Sequence, residues 1–151
     1  RMWPSARASF TALCRALGPG VGVWLMLVAG AAGNALNAAL RGAPHSAVGA
    51  STAIFGAVGA LGALQFVTRS RGGVRRWRAW VPIAAALGLL AMLGTSADSD
   101  VLAHLFGFGV GAVLGVGAAV ALSPPPGRTV QAMLVAAALA TVAAAWIVAL
   151  R

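Results

Sequence analysis

Long apolar runs separated by short polar stretches set the pattern of this chain. Residues 21–40 are apolar apart from Asn34 and Asn37, and 101–122 apart from His104. Residues 49–68 carry Ser51, Thr52, Gln65 and Thr68 in an otherwise apolar run, and 131–150 are almost all alanine, valine and leucine. A fifth run, 80–94, is shorter, with Pro82 near its start where a helix tolerates it. A helix of about twenty residues spans about 30 Å, one hydrocarbon core. Backbone polar groups in lipid must be bonded within the segment, so such runs fold as α-helices. The pattern predicts an all-α, polytopic transmembrane bundle with helices over 21–40, 49–68, 80–94, 101–122 and 131–150. Three prolines, Pro124–Pro126, end the fourth. Residues 1–20 mix Trp3, Pro4, Pro19 and three arginines and are expected to form a cytoplasmic or interfacial segment.

Composition agrees with this class. The chain is 60% hydrophobic and 9% charged, whereas a soluble domain carries about 25% charged residues. Cys14 is the single cysteine, which excludes an internal disulfide. No signal-peptide pattern is visible in 1–20. The chain opens at Arg1 without an initiator methionine and is expected to belong to a longer protein.

The net charge of +9 comes from eleven arginines and two aspartates. The arginines flank apolar runs and form no continuous face, so a nucleic-acid partner is not expected; the lipid bilayer is. With five crossings, Arg1, Arg7, Arg15, Arg69, Arg71, Arg75, Arg76, Arg78 and Arg128 fall on one side, and Arg41 and Arg151 on the other. The positive-inside rule then puts the 69–78 loop in the cytoplasm and loops 41–48 and 95–100 outside. Trp77 and Trp80 beside that loop mark an interface. The second and fourth helices both begin at the outer face. Ser51 and His104 each lie within three residues of a helix start, so they share a shallow depth.

Small-residue spacing points to the same pair of helices. Gly107, Gly111 and Gly115 recur every four residues below His104, and Thr52, Gly56 and Ala60 do so below Ser51. Such stripes lie on one helix face and let transmembrane backbones approach closely. Generic glycine-rich packing is the plainer reading of either stripe alone.

A serine hydroxyl needs a base to become a nucleophile, and histidine is the usual one. The absence of lysine excludes a Ser-Lys dyad. Ser51 alone reads as a hydroxyl bonding back to its own helix, whereas an ionisable residue in the membrane reads as functional. Asp98 and Asp100 read as a solvated flank of His104, which favours a dyad over a triad. His45 reads as an exposed loop histidine, and Asn34 with Asn37 as interhelical hydrogen bonders. Gly49-Ala50-Ser51-Thr52-Ala53 is not the G-x-S-x-G elbow of soluble hydrolases, because Ala53 stands at its last position.

Gly49-Ala50-Ser51 with Phe55-Gly56, and Ala103-His104 with Gly107-Phe108, Gly111 and Gly115, resemble the two active-site stretches of the rhomboid family. The resemblance covers residues 22–120, and 131–150 resembles the extra C-terminal helix of some members. It implies an intramembrane serine protease that cuts transmembrane protein substrates near the outer membrane face. Ser51 would be the nucleophile and His104 the general base, then acid. Gly49, Ala50 and Thr52 would give backbone support to the oxyanion. No metal or cofactor is implied, the expected location is a bacterial plasma membrane, and no oligomeric state follows. Thr52 and Phe106 stand where the family usually has glycine. The family's first two helices and their H-x-x-x-N pattern are missing from the sequence, so the 151 residues alone are expected to be inactive. The alternative is a non-catalytic rhomboid-like protein that binds transmembrane partners. A transporter is disfavoured, because neither internal repeats nor broken midplane helices are visible.

Overall fold

A computed structural model describes residues 11–41, 49–73, 76–93 and 100–151. Among them there is no strand. A helical segment 11–17 (α1) is followed by α2 (Pro19–Arg41), α3 (Gly49–Arg71), α4 (Arg76–Ala79), α5 (Val81–Leu93), α6 (Val101–Ala121) and α7 (Arg128–Ala149). Among the described residues four helices are long and apolar enough to cross a membrane: Pro19–Leu40, Gly49–Arg71, Val101–Ala121 and Arg128–Ala149. The expected third span is shorter. α5 has 13 residues, or about 20 Å of helix, and the chain turns at Trp80 between α4 and α5.

α3 is the central helix. It buries Thr52, an unbroken run from Phe55 to Ala60, and Gly62 to Leu64. Lipid tails are as apolar as the side chains, so close van der Waals packing holds such helices together. α6 supplies that packing. A methyl added to Gly111 would collide with the Gly56 backbone, whose carbonyl carbon lies 2.6 Å away. One added to Gly115 would meet the Ala60 Cα at 2.7 Å, and one on Gly107 the Thr52 Cγ2 at 2.7 Å. The pairs 52 with 107, 56 with 111 and 60 with 115 advance together, so α3 and α6 run parallel. The chain therefore has to return between them, and α5 lies on that path. It packs on α3 and α6 through Phe55, Val58, Ala86 and Phe108. Phe66 and Trp80 pack with ring centroids 4.8 Å apart and planes tilted by 54° where the return begins.

At the end of the bundle away from Ser51 and His104, α1 is part of the core. Leu13 and Leu17 are buried with Val21, Ala57, Ala60, Leu64, Ala118 and Ala119. α7 is peripheral and buries only Gln131 and Ala138. It is fixed to α2 by polar bonds. The Trp24 indole donates to the Leu134 carbonyl at 2.9 Å. Gln131 Oε1 accepts from the Gly20 and Val21 amides at 2.8 and 3.1 Å, while its Nε2 donates to the Leu17 carbonyl at 2.8 Å. One side chain thus caps the start of α2 and the end of α1, whose backbone groups have no partner within their own helices.

Candidate active site

The site lies at the end of the bundle where α3 and α6 begin. Ser51 is the third residue of α3 and is half-buried. His104 is the fourth residue of α6 and is only 5% exposed. Its ring packs on Phe55 with centroids 4.5 Å apart and planes tilted by 41°. Residues four apart share a helix face, so Phe55 lies one turn below Ser51 on the same side of α3. The α6 histidine is therefore held against the serine-bearing face.

Asp100 sets where α6 starts. Its Oδ1 accepts from the Ala103 amide at 3.1 Å as the N-cap, and its Oδ2 accepts from Asn37 Nδ2 at 2.6 Å. The expected solvated flank is instead a half-buried cap that ties α6 to α2, four residues before the histidine. Asn34, one turn earlier on α2, accepts from the Thr52 hydroxyl at 2.9 Å. The asparagines thus join α2 to α3 and to the α6 cap. A 2.6 Å bond to a carboxylate is at the strong end of the range for such contacts.

The other residues singled out by sequence surround this point. Gly49 lies against Asn34: an added methyl would meet its Nδ2 at 2.7 Å. Ala50 is exposed. Thr52 is fully buried, and its methyl fills a notch between Gly33 and Gly107, each of which would clash with it if it carried a Cβ. That notch is how this chain accommodates threonine there. Phe106 is half-buried. It lines a shallow apolar groove with Leu36 and Val110, between α2 and α6. His45, Asp98, Arg1, Arg7 and Arg75 lie outside the described residues.

Sequence reasoning missed the contribution of Asp100 and of Phe55. An aspartate directly before an apolar run is an N-cap signal in its own right. Nothing local marks Phe55 as the floor of the site.

Four helices of spanning length among the described residues, three of them packed together near a buried histidine and its polar knot, define a polytopic helical membrane protein. Residues 8–120 match the Rhomboid domain family. The chain belongs to the rhomboid family and is an integral membrane protein. No curated protein and no solved structure matches it.

Proposed function

We propose that the chain carries the catalytic centre of an intramembrane serine protease acting on transmembrane protein substrates. One observation carries this reading: a buried histidine is seated on the ring one turn below Ser51, on the serine's own helix face. In this reading His104 takes the Ser51 hydroxyl proton as the oxygen attacks the substrate carbonyl. It returns that proton to the leaving amine as the peptide bond breaks. Water then hydrolyses the acyl-serine, with His104 again as base. The first-turn amides of α3, from Gly49, Ala50, Ser51 and Thr52, have no acceptor within their helix and point their positive end toward the site. They would stabilise the oxyanion, a contribution worth about 10²–10³ in rate per donor. Arginine placement supports a cytoplasmic 69–78 loop and a site at the outer face.

A fluorophosphonate probe on the full-length protein in membranes tests this. The wild type should be labelled, and Ser51→Ala and His104→Ala should not. If the wild type resists the probe while still capturing transmembrane partners, the protein is a non-catalytic rhomboid.

A further inference from the structure

The bundle end opposite the site holds a cleft of about 420 Å³ that the protease reading leaves unused. It lies between the α1–α2 junction and the first turns of α7, with Cys14, Arg15, Pro125, Arg128, Ala132 and Val135 in its wall. We infer that it binds the headgroup of an anionic phospholipid, with the phosphodiester between Arg15 and Arg128 and the acyl chains along α7.

Three observations carry this. First, both arginines are exposed at the cleft, and no carboxylate side chain among the described residues lines it. Asp100, the one acidic side chain among the described residues, caps α6, and that 21-residue helix puts it about 30 Å away at the other end. Second, α7 starts at the cleft, and its N-cap, Gly127, makes no side-chain capping bond. A helix start of this kind favours an anion, adding to the arginine pair. Third, the wall turns apolar toward the bilayer. Pro125, Ala132 and Val135 line it, and α7 beyond Gln131 buries only Ala138. A free phosphate would use the charges and leave that wall uncovered, whereas a phospholipid uses both. Basic pockets at the membrane–water boundary between transmembrane helices are the usual form of such sites.

The full chain is purified from vesicles of phosphatidylcholine mixed with phosphatidylglycerol, and retained lipid is counted by native mass spectrometry. Phosphatidylglycerol should be retained in preference to phosphatidylcholine. Arg15→Gln and Arg128→Gln should each lower that preference about fivefold, while Arg151→Gln at the far end of α7 should leave it unchanged. Ala132→Trp, which fills the cleft without altering charge, should also release the lipid. The wild type gives a measurement independent of any arginine variant. Alkylation of Cys14 should slow in phosphatidylglycerol vesicles relative to a reference thiol at Ser70→Cys on the same end of the bundle. Equal retention of the two lipids overturns the inference, as does an equal loss in Arg151→Gln. Displacement by glycerol 3-phosphate as effective as by phosphatidylglycerol would make this a free-anion site and overturn the lipid assignment.

Discussion

At Asp100 a single carboxylate joins two helices, and the position of His104 depends on that joint. Losing an N-cap costs about 1 kcal/mol, and losing a hydrogen bond to a charged group costs about 1.5–3 kcal/mol. Asp100→Ala should therefore lower stability in detergent by about 2–4 kcal/mol. Asp100→Asn keeps an acceptor for Ala103 and should lose less. In a double-mutant cycle with Asn37→Ala the two changes should be clearly non-additive, since they delete the same 2.6 Å bond. Additive losses would mean that the pair contributes nothing in the membrane. The same logic applies to the chemistry. If Ser51 and His104 act as a unit, Ser51→Ala with His104→Ala should cleave little worse than either single variant. A double variant far below both singles would assign the two residues separate roles. The dyad candidates stood out in the sequence as a hydroxyl and an imidazole at matching depth. Asp100 did not: it stands where an N-cap is expected before the 101–122 run, but in a polar loop shared with Asp98 it reads as a solvated flank.

Between elements, the contact of α3 with α6 separates glycines that pack from glycines that do not. Gly107, Gly111 and Gly115 meet α3 backbone, whereas a methyl on Gly109 or Gly117 of the same helix would meet nothing within 4 Å. Gly111→Ala should destabilise the bundle by about 1–3 kcal/mol through overpacking. Gly109→Ala and Gly117→Ala should be neutral or stabilising by about 0.5–1 kcal/mol. Thermal unfolding in detergent measures all three, and equal effects would mean that α6 turns a different face to α3. Four-residue spacing is local and can be read directly from sequence, as can apolar length, and for that reason the long helices were legible. The shortness of α5 was legible too, since the 80–94 run is itself short, but the break at Trp80 was not, because an apolar run does not reveal where its helix bends. Gln131 was the least legible residue. It reads as the polar first residue of an apolar run, and its partners Leu17, Gly20 and Val21 lie more than a hundred residues away in sequence. Gln131→Leu keeps the volume and strands those three backbone groups, each at a cost of about 1–3 kcal/mol. Hydrogen exchange should then rise at the start of α2 and along α7 while the start of α3 stays protected. Unchanged exchange at α2 would show that water replaces the side chain.

For the whole molecule, the parallel pair α3 and α6 fixes which ends coincide. The starts of α3 and α6 share one end of the bundle, with the candidate site. Their last turns share the other end with the starts of α2 and α7, as the Arg71 guanidinium donating to the Ala119 carbonyl at 3.0 Å and the Gln131 cap on α2 require. Arg15, Arg69, Arg71, Arg78 and Arg128 therefore gather at that second end, and Asp100 sits at the first. A bundle so polarised should insert with its arginine end inward, because cytoplasmic segments retain arginine. This orientation also decides the chemistry, since it sets the face at which a substrate would be cut. Single thiols in a Cys14→Ser background report it. Ser70→Cys, exposed at the end of α3, should react with an impermeant maleimide only after the cells are opened. Met92→Cys, 82% exposed near the end of α5, should react in intact cells. Reaction of both only after opening would show that α5 does not return the chain across the bilayer, as its short length allows. Reaction of Ser70→Cys in intact cells would invert the molecule and move the candidate serine and histidine to the cytoplasmic face.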